Sequence, residues 1–343
     1  VGKKILVTGG AGFIGANFVS HLLEKSRDYQ ILVLDALTYA GSLDNIPPRV
    51  KASPGFSFYQ GDVRNVGLVL DLVSRVDVVI HFAAETHVAR SIYDDRRFFE
   101  TDVLGTQSVA NAVLKNKEHI DRFIHISTSE VYGTAVERPM TEEHPLNPMT
   151  PYAAAKAGAD RLVYSYGRTY DLPVVILRPF NQYGPYQHLE KVIPRFITSA
   201  LMNEPLTVHG TGESMRDWLH VHDTCTRIGQ VLQADRALVL GEVFNLGSGF
   251  DLDILAIAKM VLGMVGKPKT LISFMGDRPG QVQHHISSTE KAERILGITS
   301  PRAFEEGLDQ TIRWYADNRP WWEKLLPMRR VPILTKNGQE EYY

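Results

Sequence analysis

Eight residues near the start of the chain, Thr8-Gly9-Gly10-Ala11-Gly12-Phe13-Ile14-Gly15, constrain its fold more than any other segment. They stand between an apolar run, Ile5-Leu6-Val7, and an amphipathic stretch that runs to Lys25. Glycines at a strand-to-helix turn permit a tight reversal, let backbone N–H groups approach a pyrophosphate, and allow close packing of helix on strand. The helix N-terminus then turns the positive end of its dipole toward the phosphates. Gly10, Gly12 and Gly15 satisfy G-x-G-x-x-G, while Gly9, Gly12 and Gly15 satisfy the wider G-x-x-G-x-x-G. Any sharp turn of this kind can use glycine, so the pattern alone is weak. Asp35 strengthens it. It closes the second apolar run 20 residues after Gly15, where a carboxylate binds ribose hydroxyls. An acidic residue there favours NAD, because it would repel the extra phosphate of NADP. Asp62 and Val63, after the third run, are placed either to reach the adenine end or to cap the next helix.

Apolar, β-branched runs recur at 31–34, 56–59, 78–82, 123–126 and 174–177, with helical patterns near 66–74, 99–117 and 151–170. This alternation predicts an α/β fold, a Rossmann-type doubly wound parallel sheet. After about residue 180 the rhythm breaks, with Pro179, Gly184, Pro185, Pro194, Pro205, Gly210 and Gly212 in quick succession. We therefore expect a dinucleotide-binding domain over 1–180, a return segment near 229–245, and a smaller α/β substrate domain with a docked tail over 181–343. A net charge of −2 offers no basic field for nucleic acid. No apolar run reaches the length of a membrane-spanning helix. The single cysteine, Cys225, allows no intrachain disulfide and suits a reducing compartment. With an N-terminus that enters a strand and not a signal peptide, the expected location is cytoplasmic. His220, His222, His284 and His285 lack helical ligand spacing, so no metal site is expected.

Tyr152 and Lys156 stand four residues apart, which on a helix puts both on one face. A neighbouring ammonium favours phenolate, so the pair can supply a base near neutral pH. Y-x-x-x-K is common by accident. Its weight comes from Ser127-Thr128-Ser129-Glu130, which follow the run at 123–126. Active sites of open α/β sheets lie beyond the carboxyl ends of the strands, so these residues and the cofactor should share one crevice.

With these blocks in hand, the sequence resembles the extended short-chain dehydrogenases/reductases that act on nucleotide sugars, and among them the dTDP-glucose 4,6-dehydratases. The resemblance is carried by TGGAGFIG (8–15), DALTYAGSLDN (35–45), HFAAETHVARS (81–91), STSEVYG (127–133) and PYAAAK (151–156). It continues through FNQYGPYQHLEKVIP (180–194), RDWLHVHD (216–223) and GDRPGQ (276–281). The glycine turn and Y-x-x-x-K are shared by the whole superfamily; the later blocks point to the dehydratases. The resemblance implies that an NDP-hexose becomes an NDP-4-keto-6-deoxyhexose. Tyr152 takes the O4 proton as NAD oxidises C4, and Thr128 binds the same oxygen. Glu130 removes the C5 proton, water leaves from C6, and C6 is reduced. It further implies that Ala83 and Ala84 line the cofactor, and that His87, Asn181, Lys191, Arg216, Asn245 and Arg278 bind the nucleotide sugar. A homodimer built on the helices near 99–117 and 151–170 is also implied.

Three positions depart from that pattern. Ser129 stands where the dehydratases carry the aspartate that assists departure of the C6 hydroxyl, and a serine is a poor proton donor at neutral pH. GDP-mannose 4,6-dehydratases carry Ser-Glu as well, with Glu130 then serving both as base and as acid. Ala89 replaces an aspartate, and His284-His285 replace arginine and tyrosine; both changes are expected to touch the sugar or nucleotide pocket. Nucleotide-sugar 4-epimerases and UDP-glucuronate decarboxylases share the first oxidation, so they are the alternative readings. An NAD-binding scaffold without activity is disfavoured by the intact Thr128, Tyr152 and Lys156. Trp321-Trp322 reads as packing for the tail.

Overall fold

The computed structural model describes residues 2–26, 28–276, 280–298, 300–334 and 339–342. Its main sheet has seven strands: β1 (Lys4–Thr8), β2 (Gln30–Asp35), β3 (Phe56–Gln60), β4 (Val78–His81), β5 (Arg122–Ile126), β6 (Val174–Pro179) and β10 (Val243–Leu246). All are parallel, in the order β10-β6-β5-β4-β1-β2-β3. The chain enters at β1, walks outward to β3, then crosses back to lay β4 on the other side of β1. That reversal opens a crevice beyond the carboxyl ends of β1 and β4.

The strands are continuous apolar runs because both faces of the sheet are covered. Along β1, Ile5 and Val7 join a core with Phe18, Val19 and Leu22 of the helix Phe13–Lys25. Leu6 joins the opposite core with Val69, Val109 and Val163, from the helices Val66–Val73, Thr106–Lys115 and Pro151–Tyr170. Each side chain of this size, fully buried, contributes roughly 1.5–3 kcal/mol. The helix expected near 99–117 begins as a wider π-helical segment, Phe99–Gly105, before the regular Thr106–Lys115.

Beyond β6, the chain turns at once into β7 (Asn181–Tyr183), which pairs in parallel with β9 (Met215–His220). β11 (Asp251–Asp253) lies antiparallel on the other edge of β9, and β8 (Leu206–His209) pairs with β12 (Ile272–Met275). Tyr183, Phe196, Trp218, Ile257, Leu308 and Trp322 close a separate core around them. Between these pieces, the helix Val221–Gln233 and β10 rejoin the main sheet: Cys225, Ile228 and Val231 pack with Phe18, and β10 pairs with β6. Register Asn181↔Trp218 places the start of β7 beside the middle of β9, so the second core overhangs the carboxyl ends of the main strands.

The two adjacent tryptophans pack against the rest of the chain. Trp322 is buried, its indole donating to the Tyr315 carbonyl at 2.7 Å, and the Trp321 indole donates to Asn45 at 3.1 Å. Among the described residues no helix is long and apolar enough to cross a membrane. No group of three His, Cys, Asp or Glu among them could hold a metal ion.

Candidate active site

One cleft of ≈ 450 Å³ runs from the glycine turn to β9. Gly9, Gly12, Phe13, Ile14, Gly15, Asp35, Asp62, Val63, Ala83 and Ala84 line one end. His87, Thr128, Ser129, Glu130, Tyr152, Lys156, Asn181, Lys191 and Arg216 line the rest. Nearly every residue singled out in the sequence therefore reaches one surface.

The turn is built as its glycines demand. Gly9 has φ +70°, a conformation that costs a side chain energy, and a Cβ there would lie 2.6 Å from the Ala83 nitrogen. A Cβ on Gly15 would lie 2.3 Å from the Gly9 carbonyl oxygen. Gly12 is the N-cap of the helix Phe13–Lys25 and supplies no side-chain cap, so the first N–H groups of that helix are left for a ligand. Both oxygens of Asp35 accept backbone N–H groups, from Ala11 at 2.9 Å and Leu37 at 2.8 Å. Burial pushes this carboxyl up, and the two hydrogen bonds only partly offset it. Asp62 does not cap the helix Val66–Val73; Asn65 does. The Asp62 carboxylate is paired with Arg64 at 2.7 Å and held below the usual carboxylate range, first by that hydrogen bond.

Pro151 opens the helix Pro151–Tyr170, and Thr150 caps it through the Ala153 N–H at 3.2 Å. Tyr152, Lys156 and Asp160 then recur at four-residue spacing, all buried. Lys156 Nζ donates to the Ile126 carbonyl at 2.7 Å, which ties the helix to the end of β5. Asp160 forms a two-point pair with Arg178 at 2.9 and 3.0 Å. Thr128 caps the short turn Ser129–Tyr132. Burial pushes the Tyr152 phenol up, a hydrogen bond with Thr128 opposes that, and the charges of Asp102 and Glu130 push it up further. Burial likewise lowers Lys156, while Asp102 and Asp160 hold its proton on.

Lys191 lies at the rim with its Nζ donating to the Thr86 carbonyl at 2.9 Å. Arg216 is buried and lines the cleft, and its guanidinium donates to the Met215 carbonyl at 2.9 Å. Asn245 is a correction. It is fully buried in β10, accepts from the Tyr132 hydroxyl at 2.7 Å and donates to the Met140 carbonyl at 3.0 Å, so its amide is spent on structure and does not line the cleft. Arg278 lies outside the described residues. Ala89 and His284, at two of the departing positions, also sit elsewhere than expected. Ala89 packs against Val331 of the tail, and His284 is paired with Asp251; neither lines the cleft.

Sequence reading missed a cluster on one wall. Glu190 lies in the cleft, accepts from the Tyr39 hydroxyl and from Arg90, each at 2.9 Å, and Arg90 stacks on the Tyr39 ring at 4.2 Å. The block QHLEK contained Glu190, but nothing local indicated that its partners lie 100 and 151 residues away.

The match to a described family covers residues 6–311, under the heading GDP-mannose 4,6 dehydratase. The chain belongs to this family. A low-salt glycan biosynthesis protein, Agl12, of Haloferax volcanii is 45% identical over 91% of this chain and 98% of its own. A dTDP-glucose 4,6-dehydratase of Streptomyces niveus is 43% identical over 94% of this chain and 95% of its own. Among solved structures, DesIV, a dTDP-glucose 4,6-dehydratase from Streptomyces venezuelae with NAD and TYD bound, superposes with a TM-score of 0.89. It is 41% identical, and the match covers 94% of this chain and 99% of that one. Membership fixes the Rossmann architecture of this chain.

Proposed function

We propose that this chain is an NAD-dependent nucleotide-sugar 4,6-dehydratase that converts an NDP-hexose to an NDP-4-keto-6-deoxyhexose. The observation that carries this reading is the convergence of Thr128, Glu130, Tyr152 and Lys156 on the cleft that the glycine turn opens. The turn fits a dinucleotide: an uncapped helix start, two positions where only glycine fits, and a carboxylate at the end of β2. When bound, NAD supplies the hydride acceptor for C4 and the donor for C6.

The chain's own groups do the rest. Tyr152 takes the O4 proton, and Thr128, which lines the cleft with it, holds the same oxygen. The Lys156 ammonium, anchored on Ile126, keeps a positive charge one helical turn away from the phenol. Once C4 is a ketone, the C5 proton is acidified, and Glu130 removes it. Asn181, Lys191 and Arg216 bind the sugar diphosphate, guanidinium being suited to paired hydrogen bonds with phosphate oxygens; His87 completes that wall. In this division of labour the main sheet carries NAD and the second core carries the nucleotide sugar.

We take dTDP-glucose as the first substrate to try, on the strength of the relatives' names. The expected product is a 4-keto-6-deoxy sugar nucleotide, lighter than the substrate by one water in a mass spectrum. Unchanged mass with inversion at C4 would instead identify an epimerase. The reading also includes a cytoplasmic homodimer formed through the helices at 99–115 and 151–170, where Phe99, Leu104, Tyr164 and Tyr170 are exposed. Sedimentation as a monomer at micromolar concentration would overturn the dimer.

A further inference from the structure

Positions 129 and 285, two of those at which the sequence leaves the dehydratase pattern, meet in the structure. His285 is fully buried, with Nε2 at 2.6 Å from the Gly133 carbonyl oxygen and Nδ1 at 3.5 Å from Ser129 Oγ. A carbonyl oxygen can only accept, so Nε2 carries a proton, and in the neutral ring Nδ1 is the acceptor that faces the serine hydroxyl. Backbone hydrogen bonds clamp the ring from both sides. His285 N donates to Met215 of β9 at 3.1 Å, Ala135 N to His284 at 3.1 Å, and Met140 N to Ile286 at 2.8 Å. The Phe180 ring lies edge-on at 5.8 Å. A titratable nitrogen is thus held against a hydroxyl that lines the cleft beside Glu130.

We propose that His285 and Ser129 form the proton relay to the departing C6 oxygen, two residues replacing one carboxylic acid. The proposal rests on the dehydratase reading. In the step, Ser129 Oγ–H passes its proton to the C6 oxygen while the doubly protonated ring passes its Nδ1 proton to Oγ. The C6–O bond breaks with its electron pair on oxygen, and water leaves. The pair that forms the C5–C6 double bond comes from the C5–H bond, whose proton goes to Glu130. Glu130 ends protonated and His285 neutral, so the enzyme's proton count is unchanged, and exchange with water resets both. No further reagent is needed. His285 acts through Ser129 and is therefore a positioning residue.

The surrounding charges supply the timing. Burial disfavours the ring's second proton most, and Arg216 acts the same way; Glu130, the Gly133 carbonyl and Asp217 favour it. When Glu130 accepts the C5 proton, its negative charge disappears. The ring then becomes a stronger acid at the moment when the C6 oxygen needs a proton.

The test compares wild type, His285→Gln, Ser129→Ala and their double variant on dTDP-glucose, together with Ser129→Asp placed in His285→Gln. Glutamine can keep a donor on the Gly133 carbonyl but has no titratable nitrogen opposite Ser129. His285→Gln should lower kcat about 10²-fold, the lower end of a general acid's contribution, with KM little changed. In wild type, kcat should fall as pH rises through the ring's pKa, which lies below that of an ordinary histidine, and His285→Gln should lose this limb. The double variant should be no worse than either single one, and Ser129→Asp should restore turnover. A folded His285→Gln with near-normal kcat and an unchanged pH profile would overturn the relay, as would additive losses in the double variant. Should His285→Gln fail to fold, the profile of Ser129→Ala decides: retention of the limb overturns the relay, and its loss supports it. A wild type that makes no 4-keto-6-deoxy product brings down the dehydratase reading and the relay with it; a wild type that does so while the variants match it brings down the relay alone.

Discussion

At the cofactor end of the cleft the chain works mainly with backbone: Gly9 at positive φ, Gly15 against the Gly9 carbonyl, the open helix start at Gly12. At the sugar end it works with side chains that arrive from far apart. Ser129 and His285 are separated by 156 residues, Tyr39 and Glu190 by 151, and Lys191 reaches back 105 to Thr86. A backbone-built site tolerates little change at a few positions and leaves the rest of the sequence free. A side-chain-built site can exchange one constellation for another, which is where this chain departs from the dehydratase pattern. Between the two ends stands the helix Pro151–Tyr170, whose Tyr152 serves both.

The largest effect should come at that junction. Tyr152→Phe keeps a ring against Phe98, whose centroid lies 6.2 Å away, yet removes the group that takes the O4 proton. Turnover should fall by roughly 10³-fold, within the range for a positioned acid–base group, while binding at both ends persists. Calorimetric titration with NAD and with dTDP alongside the turnover assay would check this; undiminished turnover would remove Tyr152 from the mechanism.

Gly15→Ala should separate the ends. The new Cβ would meet the Gly9 oxygen at 2.3 Å, so the turn must open. The dissociation constant for NAD should rise about tenfold or more, equivalent to about 1.4 kcal/mol, with dTDP binding nearly unchanged. Equal loss of both ligands would mean that the ends are not independent.

The same contrast explains what could be read from the sequence. The cofactor end lies in contiguous blocks whose spacing is the mechanism, and alternation of apolar runs with helical patterns was enough to place the sheet. Asn245 defeats such reading because it stands in a strand at the cleft's edge of the sheet, and only the Tyr132 hydroxyl and Met140 carbonyl reveal that its amide is taken. Ala89 is expected in the pocket because it replaces an aspartate of the dehydratase pattern, yet the helix turns it toward Val331 while His87 and Val88 line the cleft. The phenol of Tyr152 shows a further limit. Spacing told which face Lys156 shares, but not that burial and the charges of Asp102 and Glu130 push the phenol up.

Asn245→Ala tests the first of these corrections. Loss of the amide leaves the buried Tyr132 hydroxyl without its acceptor, while the Met140 carbonyl keeps the Ser288 N–H, at a cost of about 1–3 kcal/mol. Urea unfolding should register that loss, and KM for the nucleotide sugar should stay the same. A raised KM with unchanged stability would return Asn245 to the substrate site.

The smallest effect concerns the charge cluster on the sugar side. Burial pushes the Glu190 carboxyl up, but His87, Lys191, His188 and Arg90 together outweigh it and hold it at about 2. Because the folded value lies below the unfolded one of about 4.3, the carboxylate contributes stability above pH ~4.3. That contribution is lost as pH falls toward the folded value. Glu190→Gln, which retains one acceptor for Tyr39 or Arg90, should lower Tm at pH 7 by about 1–2 °C, the equivalent of ~1 kcal/mol in a chain of this length. It should also flatten the acid side of the Tm–pH curve below pH ~4.3. An acid slope identical to wild type would show that the cluster is held by packing and not by charge, and the sugar end would then differ less from the cofactor end than the arrangement of its side chains implies.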